Sequence, residues 1–331
     1  FEGSDEMCTS VSVISEDGTH VMGRTMDWYD LYVKPMYVPR GYQWKSAFDN
    51  KKYINKYAIV GGGFQDNNYI DLSDGVNECG LMAQKLTFSN GAQLVDDKHD
   101  DKIQLEAYEF VTYILGNFSS VTEVEENIEK IELMSNVINN TKHGGSELHF
   151  SLSDESGRNI VVEPSQHPMR IIDNPLGVVT NMPKFERQLA KLENYMEFTD
   201  EFKENSIKYG KFHVTTGKLG GKKTPPGSYS PSQRFIRASY LKELVDMPKT
   251  RDEAVSLAFG ILDTVSIPKS KAHRPTYTVY RAVAVSEDRT YYYQANGQAT
   301  VSGIKLDEEL VQNTEPIVFN VSNIWNPQML S

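Results

Sequence analysis

Strand-forming segments in this chain come in runs broken by pairs of helices, and they do not alternate with helices one for one. Residues 9–15 alternate polar and β-branched side chains, and Glu16-Asp17-Gly18 turns the chain into residues 20–26, so it opens on a β-hairpin. Further buried strands are expected at 57–61 and 80–83. A helix is predicted over 105–118, apolar at Phe110, Val111, Ile114 and Leu115. A second follows Ser120, where Glu123 completes a capping-box signature ahead of Val124, Ile128 and Ile131. Strands return at 149–152, 159–163, 169–172 and 178–180, and helices at 234–245 and 252–265. A hairpin over 276–285 and 290–295 closes the set. This order favours layered antiparallel sheets with helices outside them over a doubly wound parallel sheet. No repeat or low-complexity tract interrupts it. The segment 197–230, rich in Lys, Gly and Pro, is the one long loop, a kind that tends to carry function.

Composition removes several classes of function. At 331 residues the chain can bury a large core. Its 45 acidic against 34 basic side chains leave a net charge of −11, which argues against a nucleic-acid-binding face. No apolar run approaches the roughly 20 residues that span a bilayer. Two cysteines, Cys8 and Cys79, exclude a disulfide framework and a Cys-rich metal site. Cys79 lies in the turn-like Asn77-Glu78-Cys79-Gly80-Leu81 and reads as a small buried hydrophobe. Residues 1–7 are acidic and lack the apolar region of a signal peptide, so they read as a tag scar or a short pro-segment ahead of a single domain over 8–331. That leaves a soluble protein whose compartment, cytoplasmic or periplasmic, depends on the origin of those residues.

Familiar catalytic signatures fail. Residues 217–224 imitate a phosphate-binding loop, but Lys222 stands where its second glycine is required. His143-Gly144-Gly145 is similar to an esterase oxyanion loop, yet no Gly-x-Ser-x-Gly elbow accompanies it. The seven histidines show no metal-binding spacing. A serine or zinc hydrolase is unsupported.

Cys8 remains, near the chain start and without an obvious histidine partner. A thiol needs a base, and the cysteine's own α-amine can serve if Cys8 becomes the first residue. Such an amine titrates near 7.7–8.0, close to working pH. A guanidinium would hold the thiolate and a carboxylate would orient the amine. Arg24 and Asp27, on the facing hairpin strand, offer both.

Cys8-Thr9-Ser10, then Gly23-Arg24-Thr25-Met26-Asp27-Trp28, then Val38-Pro39-Arg40-Gly41-Tyr42 resemble the choloylglycine hydrolase family of N-terminal-nucleophile amidases, which includes conjugated bile salt hydrolases and penicillin V acylases. The resemblance continues through residues 74–81, Val179-Thr180-Asn181-Met182-Pro183, Ser230-Pro231-Ser232-Gln233-Arg234-Phe235 and the Tyr-rich closing hairpin. It implies a four-layer αββα sandwich, hydrolysis of a carboxamide C–N bond, no metal or organic cofactor, and a homo-oligomer, a tetramer. By position Cys8 matches the nucleophile, Arg24 the residue beside its sulfur, and Asp27 the one that bonds its amine. Asn181 matches an oxyanion-hole side chain and Arg234 a buried polar partner. Plainer roles also exist: Arg24 and Asp27 as a strand-end ion pair, Asn181 as a turn residue, Arg234 as a charge in a helix's first turn.

Three departures qualify the resemblance. Cys8 is preceded by seven residues, as in an uncleaved precursor. Thr87 stands where the bile salt hydrolases carry Asn and Gram-positive penicillin V acylases Tyr. The family's Leu-Pro-Gly-Asp run is replaced by residues 224–229. Thr87 is smaller than either counterpart, and as a substrate-binding residue it implies a wider acyl cleft. The sequence therefore points to an acyl amidase of penicillin V acylase-like preference. Conjugated bile salts and N-acyl homoserine lactones are the alternative substrates, and a catalytically silent binding protein on the same fold is the rival from another class.

Overall fold

The computed structural model describes residues 7–30, 32–66, 69–135, 147–192, 206–209, 212–215, 227–270, 272, 274–322, 324–325, 327 and 329–330. The chain opens on the hairpin β1 (Met7–Ile14) and β2 (His20–Trp28). A second sheet starts at β3 (Lys34–Val38) and grows through β4 (Ile59–Asp66), β5 (Tyr69–Asn77) and β6 (Met82–Thr87). Helices α1 (Phe110–Asn117) and α2 (Val121–Asn127) follow. Next come β7 (Leu148–Ser153), β8 (Asn159–Glu163), β9 (Arg170–Asp173) and the two-residue β10 (Val178–Val179). After α3 (Phe185–Leu192), α4 (Pro231–Glu243) and α5 (Arg251–Val265), the hairpin β11 (Tyr277–Val285) and β12 (Thr290–Ala295) returns to the first sheet. Strands β13 (Ser302–Lys305) and β14 (Ile317–Val318) finish one sheet each.

The first sheet runs β10-β1-β2-β11-β12-β13 and the second β9-β8-β7-β6-β5-β4-β3-β14, with every pairing antiparallel. Helices α4 and α5 cover the first sheet, and α1 covers the second. The result is helix, sheet, sheet, helix, the αββα sandwich. One apolar cluster links the sheets to α5 and includes Val11, Met22, Val76, Met82, Leu262 and Val283. The other seats α1 on the second sheet through Phe110, Ile114, Leu115 and Phe150, with Phe110 stacked on Phe150 at 4.0 Å between ring centroids. Each such side chain, fully buried, contributes about 1.5–3 kcal/mol. Gly23 lets α5 close on β2, because a Cβ there would meet Leu262 Cδ1 at 3.0 Å.

Most expected elements are present with shifted ends. Leu105 belongs to a short strand, Ile103–Leu105, and the helix begins as a 3₁₀ turn at Ala107. Ser120 caps α2 by accepting from the Glu123 N–H at 3.2 Å, but Glu123 returns its bond to the Ser119 N–H at 2.7 Å. Helix α4 starts at Pro231, three residues before expectation, because proline is preorganised for the first helical position. The lookalike motifs at 143–145 and 217–224 lie outside the described residues, as does most of the loop expected over 197–230. Among the described residues, no helix is long and apolar enough to cross a membrane.

Candidate active site

The hairpin register pairs Cys8 with Met26, Thr9 with Thr25 and Ser10 with Arg24. Strand alternation then sends Cys8, Arg24 and Met26 toward the second sheet, and Thr9, Thr25 and Asp27 toward α4. Arg24 and Asp27 are therefore not an ion pair with each other. Arg24 Nη2 donates to Cys8 Sγ at 3.0 Å, while Nη1 donates to the Ser73 carbonyl at 2.9 Å and Asp74 Oδ2 at 3.3 Å. Asp27 accepts from the Thr278 hydroxyl at 2.6 Å and the Thr25 hydroxyl at 3.2 Å, and lies 3.8 Å from Arg234 Nη1.

Cys8 is buried beside a cation. Burial pushes its thiol above the usual range, and the Arg24 guanidinium pulls in the opposite direction. Met26 Sδ sits 4.0 Å from the sulfur. Asp27 is also raised by burial, against Arg234 and its two hydroxyl donors, which hold it down.

On the helix side Arg234 ties the pieces together. Its Nη1 donates to the Cys8 carbonyl and to Thr9 Oγ1, both at 2.6 Å, and its Nη2 donates to Asn181 Oδ1 at 2.8 Å. Its Nε donates to the Tyr229 carbonyl at 2.8 Å. Asn181 follows β10, the strand that pairs with β1, so the sheet carries it to Cys8. Its Oδ1 also accepts from the Cys8 N–H at 2.9 Å, and its Nδ2 donates to the Thr87 carbonyl at 2.9 Å. Thr87 thus enters the site through its main chain; in the ladder it stands opposite Leu148, which packs in the α1 cluster.

Cys8, Arg24, Asp27, Asn181 and Arg234, drawn from four separated stretches, meet in one hydrogen-bonded group. Three further contributors carry roles that the sequence alone does not reveal. Thr278 and Thr25 hold Asp27, and an isolated threonine in a strand looks like any β-branched residue. His149 donates Nε2–H to the Thr180 carbonyl at 2.7 Å, the tautomer its acceptor-only partner requires, and burial lowers its pKa to about 4. No group of three or more His, Cys, Asp or Glu side chains could hold a metal among the described residues. The arrangement places the Cys8 sulfur beside a fixed cation, with the Asn181 amide and a second guanidinium at the Cys8 backbone.

Residues 8–319 match the family described as linear amide C–N hydrolases, choloylglycine hydrolase family. A bile salt hydrolase/transferase of Clostridium perfringens is 30% identical over 325 residues, covering 93% of this chain and 95% of its own. A penicillin V acylase of Pectobacterium atrosepticum is 26% identical over 276 residues, covering 80% of this chain and 65% of its own. Among solved structures, a variant of the conjugated bile acid hydrolase from Clostridium perfringens is similar at a TM-score of 0.80 and 26% identity, over 98% of this chain and 100% of its own. The family match begins at the cysteine on which the site's hydrogen bonds converge and runs through the last strand of the second sheet. The chain belongs to the choloylglycine hydrolase family of linear amide C–N hydrolases.

Proposed function

We propose that this hydrolase cleaves the amide of conjugated bile acids, with Cys8 as nucleophile. The observation that carries the chemistry is the Cys8 sulfur held at 3.0 Å by the Arg24 guanidinium. The thiolate attacks the amide carbonyl carbon and forms a tetrahedral oxyanion. Asn181 Nδ2–H and a main-chain N–H hold that charge, donors of the kind worth about 2.7–4 kcal/mol each. The α-ammonium of a Cys8 chain terminus protonates the departing amine, and water then cleaves the thioester. Arg234 keeps Asn181 and the Cys8 carbonyl in place during both steps.

The substrate rests on the relatives. The bile salt hydrolase/transferase is matched over 93% of this chain and 95% of its own, whereas the penicillin V acylase is matched over a smaller share of both chains. This reverses the order expected from Thr87 alone. The penicillin V acylase-like preference expected from Thr87 loses its geometric basis, because Thr87 stands opposite Leu148 on the α1 face of the sheet and meets Asn181 through its carbonyl. The test is kcat/KM of Cys8-terminal protein on glycine- and taurine-conjugated bile acids and on penicillin V. A bile-acid preference of about tenfold or more is expected, which begins at the lower end of the roughly 1–3 kcal/mol that pocket changes supply. A preference for the phenoxyacetyl amide overturns the bile-acid reading and restores the penicillin V acylase-like one. Absence of amine release from every acyl amide tried would favour a silent binding protein.

A further inference from the structure

Arg24 reaches the Cys8 sulfur from the space between the two sheets and is fully buried there. A guanidinium is a rigid fork, so fixing one edge aims the other. One edge, Nη2, points at Sγ, and the far edge is fixed by Ser73 and Asp74 on β5. Asp74 is itself clamped from the opposite sheet: the Tyr280 hydroxyl donates to Oδ2 and the Tyr291 hydroxyl to Oδ1, each at 2.5 Å. Both carboxylate oxygens are therefore occupied, and the ion pair is anchored to β11 and β12 as well as to β5.

Two local features serve this arrangement. The β4–β5 register pairs Gly62 with Asp74 and then Gly63 with Leu72, so Ser73 is a bulged extra residue. Bulges release main-chain groups from the ladder and recur beside active sites, and here the released Ser73 carbonyl takes Arg24 Nη1. Gly62 leaves room for the clamp: a Cβ there would lie 2.4 Å from the Tyr291 hydroxyl and 3.3 Å from Asp74 Oδ1. Buried ion pairs are poor stabilisers, because desolvation offsets most of their attraction. One placed behind a nucleophile, with its bulge and its glycine, is better explained by orientation than by stability.

We propose that Asp74, clamped by Tyr280 and Tyr291, is a positioning residue that aims Arg24 at the Cys8 sulfur. The proposal rests on Cys8 being the nucleophile. It separates from a charge effect by sign. Removing the Asp74 charge alone would strengthen the field of Arg24 at the sulfur and lower the thiol pKa, whereas loss of aim raises it.

The experiment follows modification of Cys8 by methyl methanethiosulfonate against pH in the full chain, resolved by peptide mass spectrometry with Cys79 as internal reference. Asp74→Asn is expected to move the Cys8 midpoint up by about one pH unit, tenfold less thiolate at a fixed pH. Gly62→Ala, which displaces the Tyr291 hydroxyl, and Tyr291→Phe should move it the same way by less. In an Arg24→Lys background, Asp74→Asn should add no more than about a twofold change, the signature of residues acting as one unit. A midpoint that falls or stays put in folded variants, or full additivity with Arg24→Lys, overturns the proposal. If Asp74→Asn does not fold, Gly62→Ala and Tyr291→Phe, which keep the ion pair, decide it alone. Undiminished amide hydrolysis by Cys8→Ser would instead overturn the nucleophile reading. An inactive Cys8→Ser with an unmoved Asp74→Asn midpoint would overturn only this inference.

Discussion

Asn181 holds its side-chain amide in one orientation because its neighbours allow no other. The Cys8 N–H and Arg234 Nη2 both donate to Oδ1, and the Thr87 carbonyl accepts from Nδ2. A flipped amide would face two donors with its own NH₂ group. This lets the oxyanion role be separated from the structural one. Asn181→Asp keeps both bonds to Oδ1 and removes the donor, so hydrolysis should fall about 10²–10³-fold, with a stability loss confined to the bond to the Thr87 carbonyl. Asn181→Ala should lose stability as well, by about 1–3 kcal/mol, because it orphans two buried donors. Wild-type turnover by folded Asn181→Asp would end the assignment. His149 supplies a pH dependence of the fold at the same scale. Burial lowers its pKa to about 4, while an unfolded histidine titrates at 6.5. Between those values the unfolded chain binds the extra proton, so stability falls as pH drops through that window. The loss approaches roughly 3 kcal/mol, at about 1.36 kcal/mol for each pH unit that separates the two values. Urea midpoints at pH 7 and pH 4.5 should differ less in His149→Gln than in the wild type, and an equal difference would place the acid sensitivity elsewhere.

At the scale of elements, β5 and the turn after it divide one motif between two tasks. Asp74 faces Arg24 between the sheets, whereas Asn77 locks the turn to α1. Asn77 Nδ2 donates to the Leu115 carbonyl at 2.9 Å and the Phe118 carbonyl at 2.7 Å, and Oδ1 accepts from the Cys79 and Leu81 N–H groups at 3.0 and 3.1 Å. Each bond satisfies a main-chain group that the end of α1 or the turn leaves open. Asn77→Ala should therefore cost about 2–3 kcal/mol, read as a shift in the denaturation midpoint, and leave the Cys8 modification profile unchanged. A shifted profile with intact stability would reverse the division. The same strand shows why the sequence is only partly legible. Strands with clean alternation, such as β1, β2, β11 and β12, can be read from it with ends off by a residue or two. Strand β5 cannot, because Asp71, Ser73, Asp74 and Gly75 read as turn formers; they are buried because neighbouring strands bring partners for Asp71 and Asp74. Helix α3 has buried positions at Phe185, Gln188, Leu189 and Leu192, a helical spacing, but spans only two turns. Local pattern reports burial and period. It does not report a polar group whose partner lies on another sheet, which is also why Thr278 gives no signal and Asp74, though it opens an ordered motif, shows no role there, while ordered motifs identify Cys8, Arg24 and Asn181.

For the whole molecule, the two sheets and their covering helices bring every site residue to the start of β1, so the chemistry there depends on what precedes Cys8. With residues 1–7 attached, the Cys8 nitrogen is a peptide nitrogen whose one hydrogen is taken by Asn181 Oδ1. It carries no basic lone pair, and Met7 extends the strand opposite Asp27. Cleavage after Met7 leaves an amine titrating near 7.7–8.0 at the same place, able to exchange a proton with the thiol and with the leaving amine. Little of the fold changes, because Cys8 and the residues after it keep their pairing with β2 and their packing under α4 and α5. The trimmed protein should therefore hydrolyse its amide substrate at least about a hundredfold faster than the extended one, the lower end of general-base contributions of roughly 10²–10⁴. Its melting temperature should match to within a few degrees. The comparison needs both forms from one preparation, with the chain start verified by mass, and the same substrate at matched concentration. Equal turnover would mean that another group does the work of the amine. His149, buried and held neutral near Asn181, would then be the first residue to replace.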